Sequence, residues 1–222
     1  MSSWQAGTLA TPWIGVTADG MTSTSPLDNQ PIGWYSPSMR ERVLDAAEAM
    51  VQERGLSAVS FQHLADAVGL SKPSVFHHIK NKEELAKALV ERCQTKYGAE
   101  YGEVIDADLD APEKLRHIAG IFEKGLRDDR LCLLNSLGQS VPMLAAAVQD
   151  DLRLSVSQSI DRYARVFEQG QREGSLRFEG APADAAAAFL ALVEGLQVLA
   201  RAKRDLDMFS RAAASYIESI IV

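Results

Sequence analysis

The stretch LADAVGLSKPSVFHHI, residues 64–79, decides the fold of this 222-residue chain. Apolar residues recur at helical spacing on both sides of Gly69, which predicts that a first helix ends there. Ser71 is a typical N-cap for a second helix, and Pro73 is tolerated in its first turn, where backbone N–H groups have no intrahelical partner. Ser60 caps the first helix in the same way. Two short helices joined at a glycine have the proportions of a helix-turn-helix.

Helix-start signals flank this motif on both sides. Ser38 with Glu41 predicts a helix that ends at Gly55, and Asn81 with Glu84 predicts a longer helix through Cys93. Strand-like alternation is scarce, so the sequence predicts an all-α fold. Further helices are expected after Asp110, from about Met143 to Arg172, from Pro182, and over the apolar stripe from Leu206 to Ile220.

Composition favours a globular protein of the cytoplasm. Hydrophobic residues make up 46% and charged residues 24% of the chain, which is ordinary for such proteins. We expect no secretory signal and no apolar stretch long enough to span a membrane. Cys93 and Cys132 lie far apart in a chain without export signals, which indicates free thiols in a reducing compartment.

The net charge of −7 is unevenly distributed. Residues 40–96 carry nine Lys or Arg against eight Asp or Glu, so the acidity belongs to the rest of the chain. From Ala67 to Lys82 there are three lysines, two histidines and no acidic residue. A local basic surface on an acidic protein is typical of phosphate binding.

The adjacent histidines His77 and His78 do not predict a metal site or a catalytic pair. Neighbouring residues on a helix point about 100° apart, so the two rings cannot chelate one ion from the same face. The His/Cys spacings that zinc requires are missing from the sequence. No positioned carboxylate or nucleophile accompanies the pair. We therefore predict no metal, no cofactor and no catalytic residue.

Residues 43–89 resemble the DNA-binding domain of the TetR family of transcriptional repressors. The resemblance covers about a fifth of the chain, but its landmarks are dense and correctly spaced. They are Ala46-Ala47, Arg54-Gly55, Ser60, Leu64-Ala65, Gly69-Leu70-Ser71-Lys72, Phe76-His77-His78 and Lys82-Glu83.

The resemblance implies a homodimer that binds a double-stranded DNA operator and responds to a small-molecule effector. It divides the chain into a helix-turn-helix domain at 37–82 and an effector-binding and dimerisation domain at 83–222. Residues 1–36 hold all three tryptophans and no Lys or Arg, and we interpret them as an irregular tail. Met39, directly before the first helix, is a candidate native start. A basic arm is common at this place in the family, and here only Arg40 and Arg42 remain.

The resemblance also places the expected DNA contacts. A recognition helix presents N-terminal side chains to base edges in the major groove, and N–H groups at helix starts can face phosphates. The family usually has Tyr where Phe76 stands, so Phe76 either packs or contacts a thymine methyl. Ser60 and Ser71 have a second interpretation, in which they only cap their helices. The expected contact residues are Ser60, Ser71, Lys72, Ser74, Phe76, His77 and Lys82.

The C-terminal part identifies its contacts less directly. Polar or aromatic residues that interrupt apolar helix faces are candidates for an effector pocket. They are His117, Phe122, Asn135, Gln139, Tyr163, Phe167 and Glu194. Apolar stripes on the last two helices suit the dimer interface of the family, although packing inside one chain fits the same pattern. The stripes are Phe189, Leu192, Val193, Leu196 and Leu199, then Leu206, Phe209, Ala213, Tyr216, Ile217 and Ile220.

Cys132 supports an alternative function. The run CLLNSLG, residues 132–138, is similar to a short motif in a subset of the family, some members of which respond to oxidants or electrophiles. Arg127 and Arg130 precede the thiol and could favour its thiolate, although two neighbouring aspartates offset their positive charge. The alternatives are therefore a helical thiol-dependent enzyme or redox sensor acting through Cys132, and a DNA-binding or adaptor protein without an effector.

Overall fold

The computed structural model describes residues 37–222. The expectation of an irregular tail at 1–36 lies outside the described residues.

The described part of the chain is helical, which confirms the predicted all-α class. Its only β pairing there is an isolated antiparallel bridge between Leu176 and Ile221. The α-helices are α1 Met39–Arg54, α2 Phe61–Val68, α3 Lys72–His78, α4 Lys82–Arg92, α5 Gly98–Asp106, α6 Ala111–Arg127, α7 Leu133–Gly138, α8 Ala146–Glu173, α9 Pro182–Lys203 and α10 Asp207–Ile220. Short 3-10 turns cover Leu56–Ala58 and Val141–Met143, and a π-helical turn covers Cys93–Tyr97.

The helix caps predicted from the sequence are present. In each case the side-chain oxygen of the cap accepts a hydrogen bond from the backbone N–H three residues later. These caps are Ser38, Ser60, Ser71, Asn81 and Asp110. Only Asp110 forms the full reciprocal box, in which Glu113 accepts from the backbone N–H of the cap. Glu41, expected to do the same for Ser38, instead forms an ion pair with Arg92.

The described helices pack around two apolar cores. The first joins α1 to α4 with α7 and the start of α8, and its centre includes Leu64, Leu89 and Leu137. The second joins α6, the C-terminal half of α8, α9 and α10, with Phe167 and Phe189 among its fully buried residues. Helices α7 and α8, from the segment assigned to the C-terminal domain, therefore help to bury the helix-turn-helix.

The fourth helix differs from the expected continuous one. It is regular only to Arg92, and the π-helical turn Cys93–Tyr97 connects it directly to α5. Such a turn inserts one extra residue and frequently marks a functional site. The long helix α8 starts at Ala146 rather than near Met143, because Val141–Met143 forms a separate 3-10 turn.

Helix α9 corrects the expectation that no segment could span a membrane. Pro182–Lys203 has a mean hydropathy of 1.6 over its most apolar 18 residues. By length and composition alone, this helix could cross a membrane. Alanines raise this value and let α9 pack closely. One face of the helix, including Phe189 and Val193, is buried in the second core of the described chain. Burial of this face in the core therefore explains why α9 is so apolar.

Candidate functional site

Helix α3 is held by its inner face and presents its outer face to solvent. Val75 and Ile79 are fully buried against the first core. The same helix therefore exposes Lys72, Phe76 and His77. This geometry leaves predicted contact residues of the recognition helix free to meet a ligand outside the protein.

Phe76 does not extend alone from this surface. Its ring stacks on the ring of Phe61 at the start of α2, with centroids 4.4 Å apart and planes within 9° of parallel. Phe76 nevertheless remains 39% exposed. The stack ties α2 to α3 at the surface and leaves an apolar edge next to the polar groups.

The hydroxyl and ammonium groups of this face already make weak local contacts. Ser71 Oγ accepts from the backbone N–H of Ser74 at 3.3 Å and lies 2.8 Å from the Ser74 hydroxyl. Lys82 Nζ donates to the carbonyl of Ser57 at 3.1 Å. These groups are solvent-exposed or nearly so, and an ammonium can add a phosphate partner because it carries three donors.

A cavity of about 270 Å³ lies where the two cores meet. Its middle is apolar and aromatic, with Tyr101, Phe122 and Tyr163 packed edge-on or tilted against one another. Polar and charged side chains line its other side. They include Gln52 of α1, Tyr97 of the π-helical turn, Arg162 of α8 and Gln197 of α9.

The structure brings two of the predicted effector residues into this cavity, Phe122 and Tyr163. His117 is exposed and lines an adjoining shallow depression beside α6, but not the cavity itself. Phe167 is fully buried in the second core, where it packs on Phe178 and Phe189. The remaining candidates, Asn135, Gln139 and Glu194, are not among the lining residues.

A cluster around Glu48 connects the cavity wall to α1, and it was not among the sites predicted from the sequence. The Glu48 side chain is 3% exposed. It accepts hydrogen bonds from Arg92 Nη1 at 2.8 Å, from Lys96 Nζ at 2.7 Å and from the Tyr97 hydroxyl at 2.6 Å. The available signal was a carboxylate placed on the apolar face of α1, between Leu44 and Val51.

These partners keep Glu48 ionised. Burial alone would raise the pKa of its carboxyl, but the hydrogen bonds from Lys96, Tyr97 and Arg92 outweigh burial and hold that pKa below its ordinary value. Arg92 also pairs with Glu41 at 2.5 Å and Asp45 at 2.7 Å. The three carboxylates belong to α1, so α4 and the π-helical turn are fastened to it.

Two side chains of α9 make further hydrogen bonds that connect these elements. Gln197 is 1% exposed; its Oε1 accepts from the Cys132 backbone N–H at 2.8 Å, and its Nε2 donates to the Phe122 carbonyl at 2.7 Å. Arg201 Nη2 donates to the Glu53 carbonyl at the end of α1 at 2.6 Å, while its Nε pairs with Asp129 at 3.1 Å. The cavity wall, α1 and α9 therefore form one hydrogen-bonded frame.

Both cysteines line the cavity, and burial keeps both thiols protonated. It raises the pKa of Cys93 to about 12 and the pKa of Cys132 well above its ordinary value, with the Glu194 carboxyl beside Cys132 acting in the same direction. The thiolate is the reactive form. Cys132 is the N-cap of α7, and a hydrogen bond from the Asn135 backbone N–H acts to lower the pKa of its thiol, but burial and the Glu194 carboxyl outweigh it.

The comparisons with known proteins agree with this architecture. Residues 43–89 match the family described as bacterial regulatory proteins, tetR family. The HTH-type transcriptional repressor KstR2 of Mycobacterium tuberculosis is 33% identical over 85 residues, which are 38% of this chain and 41% of that protein. The match therefore spans less than half of the length of that relative.

Two further similarities extend beyond the helix-turn-helix. The transcriptional regulator AcuR of Cereibacter sphaeroides is 27% identical over 190 residues, which cover 82% of this chain and 84% of that protein. A transcriptional regulator of the TetR family from Agrobacterium tumefaciens has a solved structure with a TM-score of 0.78 at 25% identity. That similarity covers 82% of this chain and 97% of the other.

Proposed function

Because the chain belongs to the TetR family of transcriptional regulators, we propose that it is a homodimeric repressor released from a palindromic DNA operator by a small molecule. The observation that carries the proposal is the position of the cavity. Its wall includes Gln52 of α1 and Tyr97 of the π-helical turn, so a ligand there would touch the helices that hold the DNA-binding face. DNA as the partner implies that the protein works in the cytoplasm.

Docking on DNA follows from the exposed face of α3. In this proposal Lys72 and Ser74 reach base edges in the major groove, and Phe76 adds apolar contact with a thymine methyl. Ser60, Ser71, His77 and Lys82 contact phosphates, which fix position and supply the salt-dependent part of the affinity. Being a transcriptional regulator, the protein is not an enzyme, which removes the thiol-dependent enzyme from consideration.

Lys82→Ala is expected to weaken binding to all duplexes and to reduce the salt dependence of binding. Each lost phosphate contact lowers the slope of log affinity against log salt by about 1, and a dimer loses about 2. The measurement is fluorescence anisotropy with labelled DNA at several salt concentrations. Lys203→Ala, at the end of α9, is the matched control and should leave the slope unchanged. An unchanged slope in Lys82→Ala would show that the assigned docking is wrong.

The dimer interface must use a helix face other than the apolar stripes of α9 and α10 that were expected to form it. Phe189, Val193 and Leu196 of α9 and Phe209, Ala213 and Ile217 of α10 are buried within the single chain, so most of the predicted stripes form its own core. Helix α9 also has an outer face, on which Val198 is 41% and Leu199 is 55% exposed. We propose that this face, with the exposed Ala188 and Ala191, pairs with a second copy.

Leu199→Glu is expected to convert the dimer into monomers and to abolish tight operator binding. A charge at the centre of an apolar interface loses its hydration without gaining a partner. Size-exclusion chromatography with light scattering gives the mass directly. Met143→Glu places the same charge at another exposed apolar residue, 67% exposed and outside the last helices, and should remain dimeric. Dimeric Leu199→Glu would exclude this interface.

Release of DNA would follow from movement of the frame around the cavity. A ligand that separates α5, α6 and α8 displaces the π-helical turn, which is bonded to Glu48 on α1. Two recognition helices must lie about one turn of DNA apart, some 34–36 Å, so a small rotation of each α1 weakens binding. Oxidation of Cys132 is a poor alternative trigger because burial keeps that thiol protonated.

A further inference from the structure

Gln52 is a residue of the DNA-binding part that reaches the cavity. It lies near the end of α1 and is 5% exposed, yet it is one of the residues that line the cavity. Its backbone carbonyl accepts from the N–H of Leu131, another lining residue, at 3.1 Å. The backbone is thus fixed at the point where its side chain meets the cavity.

The hydrogen bonds around Gln52 fix the orientation of its amide. The Tyr97 hydroxyl has one proton, which it donates to Glu48 Oε1 at 2.6 Å. The Tyr97 oxygen must therefore accept from its other neighbour, and Gln52 Nε2 donates to it at 2.9 Å. The Gln52 carbonyl oxygen consequently faces away from Tyr97.

That oxygen, Gln52 Oε1, is buried and accepts no hydrogen bond from any residue in the range 37–222. A buried acceptor without a partner destabilises the folded protein, and nearly all such groups in proteins form a hydrogen bond with some partner. Here the unpartnered group belongs to a cavity-lining residue, which points to a bound molecule that carries a hydrogen-bond donor.

We propose that Gln52 Oε1 accepts a hydrogen bond from the effector, and that the effector carries a hydroxyl group on an apolar ring. The aromatic walls formed by Tyr101, Phe122 and Tyr163 suit the ring. A carboxylate at this end of the ligand would offer no proton to Gln52 and would lie near the ionised Glu48. This inference rests on the proposed function, because it names the chemistry that the cavity recognises.

The hydrogen bond would also provide regulation. A ligand hydroxyl bound to Gln52 displaces the amide that donates to Tyr97, and Tyr97 donates in turn to Glu48. All three side chains connect α1 to the π-helical turn. The effector thus acts on the first helix of the DNA-binding part directly, without an intermediate helix.

The test compares two ligands of nearly equal shape, 4-ethylphenol and 4-ethylanisole, by calorimetry on the DNA-free protein. The phenol carries the donor and the methyl ether does not. One hydrogen bond to a buried acceptor is worth about tenfold in affinity or more. We expect the phenol to bind the wild-type protein about tenfold more tightly than the ether, and this comparison needs no variant.

Gln52→Met identifies the acceptor. It keeps the length of the side chain but removes the amide, and we expect it to reduce the preference for the phenol to within about twofold while affinity for the ether stays unchanged. Gln94→Met is the control, since Gln94 bonds to Ser155 and is not a lining residue. Its preference should equal that of the wild type.

Three results would overturn the proposal: no binding of the phenol, equal binding of the two ligands by the wild type, or a preference that survives in Gln52→Met. Operator binding is measured separately by anisotropy. If the phenol preference depends on Gln52 but no DNA is bound, the proposed function fails and the ligand assignment stands. If DNA is bound and the preference is missing, only the ligand assignment fails.

Discussion

Replacing Glu48 with alanine is expected to lower the free energy of unfolding by about 3 kcal/mol. The side chain is 3% exposed and accepts from three donors, so its removal leaves buried partners unsatisfied. The cost falls at the lower end of the range for a broken buried ion pair, because Arg92 keeps Glu41 and Asp45 and Lys96 can turn to solvent. Urea unfolding followed by circular dichroism measures the change.

The matched control for this variant is Glu53→Ala, on the same helix. The Glu53 side chain is exposed and has no ion pair among the described residues, and its backbone carbonyl accepts from Arg201. We expect a change within about 0.5 kcal/mol. Equal effects of the two substitutions would mean that the Glu48 cluster does not fasten α1 to the cavity wall.

The free energy of unfolding at acidic pH gives a second measure of how much the Glu48 cluster stabilises the protein. The pKa of Glu48 is lower in the folded protein than its ordinary value of 4.5. A lowered carboxyl pKa contributes stability that is fully present above the ordinary value and is lost as the pH falls through the folded value. Glu48→Ala should therefore show a smaller loss of stability below about pH 4.5 than the wild type.

Gly170→Ala is expected to destabilise the protein by about 3 kcal/mol. Gly170 lies in the last turns of α8, and after Gly174 the chain turns back so that Leu176 packs over it. A Cβ on Gly170 would lie 2.4 Å from Leu176 Cγ and Cδ1 and 2.8 Å from Leu176 Cβ. Rotation of the leucine cannot relieve a clash with its Cβ, so the backbone has to move.

The same substitution at Gly120 should stabilise the protein instead of destabilising it. Gly120 lies in the middle of α6, and an added Cβ there meets nothing within 4 Å. Alanine reduces the entropy of the unfolded chain and favours the helix by about 1 kcal/mol. Thermal unfolding of both variants checks the pair. A stability equal to wild type in Gly170→Ala would show that Leu176 does not pack against α8.

Local features of the fold were predictable from the sequence. Each N-cap at Ser38, Ser60, Ser71 and Asn81 depends on residues within three positions of one another, so the pattern of the chain contains the whole interaction. The same holds for Gly69 and Gly174, whose left-handed conformations end α2 and α8. The extent of these helices follows from such signals.

The candidate site was only partly predictable because its parts come from distant segments. The bonds from Tyr97 and Arg92 to Glu48 join residues more than forty positions apart, and no local pattern announces them. Phe122 was identifiable as an aromatic residue on a helix face, whereas Gln52 was not. The stripes on α9 and α10 were correctly recognised as apolar. Whether such a stripe packs inside one chain or between two depends on tertiary geometry that periodicity does not contain.

We propose that a dimer of this chain recognises a specific palindromic DNA sequence through α3. Selection of binding sites from a random duplex library, followed by sequencing, measures this recognition directly. We expect one enriched inverted repeat whose half-site centres lie about one helical turn apart, with enrichment lost in Lys72→Ala. Enrichment of a sequence without two-fold symmetry, or of no sequence at all, would contradict it.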